Sequence, residues 1–179
     1  YVLLILMGCQ TNPKEKKAVF VGGNIINPSN NYVILYDTQN NIDTLYLNDK
    51  NRFSHYFTTF KPGIHSFVHG GKHQSILLEE NDSIMMHINT LDFDESIVYN
   101  GIGAKKNNYL INLLLKLEKE DHSTNLSYSQ SPEDYHQSIE AYISKNSDHL
   151  ESFLKINPNS ELFEKVALSS IKYHYFTRK

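Results

Sequence analysis

His65, His69 and His73 fall within one short segment, and clustered imidazoles are the raw material of a zinc site. The surrounding pattern argues against one. Ile64-His65-Ser66-Phe67-Val68-His69 has strand character, and Gly70-Gly71 fits a two-residue hairpin loop. In that geometry His65 and His69 share a face with Phe67 and stand about 13 Å apart by strand rise. His73 falls opposite Val68, on the other face. The three rings do not converge, so the sequence predicts solvent-facing sheet histidines and assigns no metal ligand.

Two further segments resemble ligand loops. Asp92-Phe93-Asp94-Glu95-Ser96 alternates acids as a Ca²⁺ loop does. Such a loop needs Gly at its sixth position and a bidentate Glu at its twelfth; here those positions are Ile97 and Gly103. The segment reads as a solvated connection between strands. Gly101-Ile102-Gly103 precedes a helix, but a third Gly and a βαβ setting are absent, so a phosphate loop is not supported. These glycines are assigned to a strand-to-helix bend. No Gly-x-Ser-x-Gly elbow occurs. The aromatic positions of the strands read as core. No catalytic, cofactor-binding or metal residue is assigned, and no cofactor is expected.

Cys9 carries chemistry of another kind. Residues Tyr1 to Met7 are continuously apolar, too short to cross a bilayer but suited to the end of a signal-peptide core. Leu6-Met7-Gly8-Cys9 has the form of a bacterial lipobox. The small Gly8 fits a signal-peptidase pocket, and the Cys9 thiol would take the lipid. Gln10 to Lys17 is then a polar tether. The expected location is the cell envelope, lipid-anchored, with Gln10 favouring the outer over the inner membrane and a periplasm-facing or surface-exposed body. Cys9 is the sole cysteine, which excludes an intrachain disulfide, a Cys-x-x-Cys pair and a cysteine zinc site. Residue 1 is Tyr, so the start of the gene product is expected to be missing. Nothing in Thr177-Arg178-Lys179 signals a domain end, so a cut C-terminus is expected too.

The body divides by periodicity. From Ala18 to Tyr99, short apolar runs alternate with turn clusters, predicting about seven to eight strands at regular spacing. They are read as a meander of antiparallel neighbours, with Gly22-Gly23 marking a bulge or bend in the first. From Ala104 the period changes. Tyr109, Leu110, Leu113, Leu114 and Leu117 make a helical stripe. Ser131-Pro132-Glu133-Asp134 is a strong helix start, and Ser160-Glu161 opens a last helix. The expected fold is α+β: an N-terminal antiparallel β-sandwich followed by a C-terminal subdomain of about three helices. The divisions are a signal-peptide remnant (1–8), a lipidated tether (9–17), the sandwich (18–100) and the helical subdomain (101–179). A net charge of -3, from 17 basic and 20 acidic residues, gives no electrostatic reason to expect nucleic acid.

Phe93 to Ala104 with Asn107-Asn108-Tyr109-Leu110 resembles a known family. So do Gly22 to Pro28, Ile42-Asp43, Phe53, Pro62-Gly63 and Leu78 to Ser83. The segments are similar to the N-terminal region of envelope lipoproteins of the TlpA-like thiol-disulfide oxidoreductase family. The resemblance spans most of residues 18–176. It implies a β-sandwich and helices placed before a thioredoxin-like domain. That family's Cys-x-x-Cys belongs to the later domain, so no catalytic residue transfers to this chain. The implied role is a non-catalytic accessory domain that positions the redox domain or holds its partner. The expected partners are the membrane, through the anchor, and envelope proteins. The alternative is a self-standing envelope lipoprotein that binds a ligand with the same sandwich and has no redox role.

Overall fold

A computed structural model describes residues 18–123, 131–157 and 159–176. In chain order the strands are β1 (Phe20–Ile26), β2 (Tyr32–Tyr36), β3 (Ile42–Tyr46), β4 (Arg52–Tyr56), β5 (Gly63–His69), β6 (Lys72–Leu78), β7 (Ser83–Asn89) and β8 (Val98–Ile102). A 3-10 turn over Thr90–Asp92 precedes β8. The helices α1 (Ala104–Ser123), α2 (Pro132–Ile156) and α3 (Glu161–Phe176) follow. The architecture is the expected α+β order, eight strands and then three helices among the described residues.

The strands form two sheets, β4-β1-β7-β8 and β3-β2-β5-β6. The expected meander does not form. The chain crosses between sheets after β1, β3, β4 and β6, and β1 pairs antiparallel with β4 but parallel with β7. Strand alternation reports which side chains face inward; it does not report which strand lies alongside. Packed sheets stand about 10 Å apart, a gap that a linker such as residues 27–31 crosses easily. Only β2–β3, β5–β6 and β7–β8 pair with their immediate successors.

Val21, Ile25, Ile84, Met86 and Ile88 of the first sheet face Val33, Leu35, Phe67, Ile76 and Leu78 of the second, all fully buried. Each such side chain contributes roughly 1.5–3 kcal/mol by leaving water. The glycine pair in β1 is not a bulge, because pairing runs unbroken through both residues on both sides. Its role is close approach. A Cβ on Gly23 would fall 2.6 Å from the ring of Phe53, and that ring stacks on Phe67 of the opposite sheet at 5.6 Å. Gly23 makes the room in which the two sheets meet.

The helices bury a second cluster. Tyr109, Leu113 and Leu117 of α1 pack with Leu150 of α2 and with Phe163, Ala167 and Ile171 of α3. Leu77, on the outer face of β6, belongs to this cluster, while its neighbours Ile76 and Leu78 face the sandwich. The end of β6, Ile76-Leu77-Leu78, is therefore buried on both faces, which its apolar run allows. The helix starts lie where the sequence puts them. Ser131 Oγ accepts from the Asp134 N–H at 3.1 Å, and Ser160 Oγ from the Phe163 N–H at 3.0 Å.

Candidate interaction site at the junction of sandwich and helices

The chemistry concentrated around α1 is positional. Strands β6 and β8 end their sheets on one side of the sandwich, and each presents unpaired main-chain groups there. Two consecutive side chains of α1 satisfy them. Asn107 accepts from the Leu77 N–H at 2.8 Å and donates to the Leu77 carbonyl at 2.9 Å. Asn108 accepts from the Tyr99 N–H at 2.9 Å and donates to the Tyr99 carbonyl at 2.8 Å. A carboxamide carries one acceptor and a donor pair, so it can stand in for a neighbouring strand. Successive helical residues point about 100° apart, which lets one helix reach both sheets. On the opposite side of the sandwich, β3 and β4 are joined directly through the turn at residues 48–51.

The preceding residue closes the same junction. Lys106 Nζ lies 2.6 Å from Asp82 Oδ2 and 2.8 Å from Glu79 Oε2, with Lys106 and Asp82 both buried. Asp82 Oδ2 also accepts from the Glu79 N–H at 2.8 Å. Burial pushes the Asp82 carboxyl above its ordinary value, against the opposing pull of Lys106. The turn between β6 and β7 is thereby tied to the first turn of α1.

Two hollows flank the helix. One, of about 480 Å³, lies between α1, α3 and the outer face of β5–β6, walled by Ile64, Leu77, Leu110, Leu114 and Val166. The other, of about 610 Å³, lies between α1 and α2 over Tyr109 and Phe153. Burial pushes the Tyr109 phenol up to about 12, so its hydroxyl stays neutral at physiological pH.

The histidines lie elsewhere than expected. His65 and His69 are not solvent-facing; each is 2 % exposed, inside the sandwich. Their shared face with Phe67 was the available signal, since Phe67 points into the core. His69 donates from Nδ1 to the Tyr32 carbonyl at 2.8 Å and accepts at Nε2 from the Ser29 N–H at 2.9 Å. It fastens β5 to the β1–β2 turn. His65 stacks on Phe60 at 5.6 Å, meets Phe57 edge-on, and donates from Nδ1 to the Gly63 carbonyl. His73 is exposed and paired with Val68, in the expected register. No group of three His, Cys, Asp or Glu side chains able to hold a metal occurs among the described residues.

Burial lowers the His65 pKa below 6.5, outweighing the Gly63 carbonyl and Asp37. The unfolded chain therefore takes up a proton before the folded one does. Stability is fully present above the unfolded value and falls as pH drops from about 6.5 toward the lower folded value, by at most about 1.4 kcal/mol per pH unit for one proton. His174 is shifted the same way by burial. Urea midpoints measured from pH 7.5 to 5 are expected to decline, and His65→Phe is expected to flatten that decline without abolishing it.

The acidic segment is a turn with a buried side. Phe93 and Ile97 enter the core, Asp94 Oδ1 accepts from Gln74 Nε2 at 3.3 Å, and Lys72 Nζ lies 5.7 Å above the Phe93 ring. Gly103 makes the bend from β8 into α1, as expected, whereas Gly101 lies within β8 and pairs with Ile84, where its positive φ lets the two strands approach. The aromatic positions divide between core and surface: Phe53 and Phe67 are buried, but Tyr46 and Tyr56 stand 70 % and 65 % exposed on the outer sheet faces. Cys9, the signal-peptide remnant and the tether lie outside the described residues. Among the described residues no helix is long and apolar enough to cross a membrane. The chain matches no family model, no curated protein and no solved structure.

Proposed function

We propose that this chain is the lipid-anchored N-terminal part of a TlpA-like thiol-disulfide oxidoreductase, a non-catalytic accessory domain that positions the redox domain or holds its partner. One observation carries the reading. The residues on which the resemblance rests include Gly103, Asn107 and Asn108, and these same residues join the sandwich to the helices. A signature spent on holding one layer against another suits a module whose task is placement. The competing reading is a self-standing envelope lipoprotein that binds a ligand, and the hollows beside α1 favour it.

The coding sequence beyond codon 179 separates the two. A downstream thioredoxin-like segment containing Trp-Cys-x-x-Cys is expected; a stop codon directly after Lys179 would overturn the accessory-domain reading. The anchor has its own test. Cys9→Ser, expressed in a bacterium that processes lipoproteins, is expected to move the protein from the membrane pellet to the soluble envelope fraction. Its persistence in the pellet at wild-type level would contradict lipidation at Cys9.

A further inference from the structure

The hollow between α1 and α2 has a one-sided charge pattern along an aromatic floor. Tyr109 lies 4.4 Å from Phe153 and 5.9 Å from His149 between ring centroids, with its hydroxyl 3.5 Å from His149 Nδ1. Lys105 and Lys116 border the floor, and among the described residues no carboxylate lines it. Lys105 Nζ meets a neutral group, Asn157 Oδ1, at 3.3 Å. Glu120, one turn beyond Lys116, is bonded to Lys145 at 2.7 Å and also interacts electrostatically with Lys116, so the group of two lysines and one carboxylate keeps a net positive charge. The positions 105, 109, 112 and 116 follow helical spacing, so one stripe of α1 presents two ammonium groups with an aromatic ring and an amide between them.

Eleven helical steps separate the lysines, a rise of about 16 Å. An extended chain covers that span in about five residues. Asn112 and Asn157, both lining the hollow, offer carboxamide donors and acceptors to a passing main chain. We propose that this cleft docks an extended acidic segment of a partner protein. Two carboxylates four residues apart, about 13 Å along one face of the extended segment, meet Lys105 and Lys116 with the flexible lysine side chains making up the span, and the apolar side chain midway between them on that face lies on Tyr109 and Phe153. Charge complementarity selects the occupant, and the inference stands whether or not a redox domain follows the chain.

The test is a titration of the full chain with fluorescein-labelled pentapeptides, Glu at both ends and Leu, Phe or Tyr at the centre, read by anisotropy at low salt. Saturable binding is expected. Lys105→Glu and Lys116→Glu are each expected to weaken it about tenfold. Pentapeptides with Lys at both ends are expected to bind the doubly reversed variant and not the wild type. Circular dichroism confirms that each variant is folded. Should Lys116→Glu unfold the chain, Lys116→Gln replaces it, with a loss of about threefold expected. The proposal is overturned if no member of the acidic panel binds at millimolar concentration. It is equally overturned if the charge-altered variants bind the panel as well as the wild type does.

Discussion

Asn107→Ala is expected to lower folding stability by about 3 kcal/mol, among the largest effects of any polar substitution in this chain. The Asn107 side chain is buried, and it bonds both main-chain groups of Leu77 on the open edge of β6. Truncation leaves a buried N–H and a buried carbonyl without partners, each at roughly 1–3 kcal/mol, while the intrahelical bonds remain. Asn107→Asp discriminates further. It keeps an acceptor for the Leu77 N–H but turns a second oxygen toward the Leu77 carbonyl, so it is expected to be no better than alanine above the carboxylate pKa. Asn108 is half-buried, and Asn108→Ala is expected to cost less, about 1–2 kcal/mol. Urea denaturation of the three variants checks the order. A loss below about 1 kcal/mol for Asn107→Ala would mean that the carboxamide is not the fastening.

Gly101→Ala is expected to be at least as severe, costing about 3 kcal/mol or more. Gly101 has φ +99, outside the range side chains accept, and a Cβ there would fall 2.1 Å from the Ser83 carbonyl oxygen. That oxygen belongs to the neighbouring strand, where Gly101 pairs with Ile84. Relief therefore requires β7 and β8 to separate. Gly71→Ala supplies the comparison. It has φ +78 but nothing within 4 Å of the added carbon, so only backbone strain of about 1 kcal/mol is expected. Thermal or urea unfolding of both variants isolates the contact from the dihedral. Equal losses would show that the Ser83 contact relaxes without cost.

The sequence was legible where local chemistry sets local geometry. Ser131-Pro132 announces α2 because a hydroxyl cap and a fixed φ act within one turn. Gly70-Gly71 announces its hairpin because both residues adopt positive φ, at +58 and +78. It was illegible where the partner is distant in sequence. Alternation in β1 could not say that its neighbours are β4 and β7. Non-convergence of His65, His69 and His73 argues against a metal but not for solvent exposure: His65 and His69 share the inward face of Phe67, and each finds a partner for its ring nitrogen inside the fold. Asn107-Asn108 stood out only by resemblance, since the strands they bond lie 30 and 9 residues away. Lys105 and Lys116 share the helical stripe of Tyr109, but nothing in their spacing marks a site. Lysines on a helix usually mark a solvated face, and it is α2 packing alongside that turns this stripe into a cleft.

The claim that joins fold to proposed role is that α1 completes both sheets, and hydrogen exchange at two amides tests it most directly. The Leu77 and Tyr99 N–H groups, on edge strands, are expected to exchange as slowly as the Ile84 N–H in the sandwich centre, because Asn107 and Asn108 cover them. In Asn107→Ala the Leu77 amide is expected to become fast while the Tyr99 amide stays slow. Rapid exchange of both amides in the wild-type chain, with Ile84 still protected, would contradict the claim and leave the helices merely resting against the sandwich.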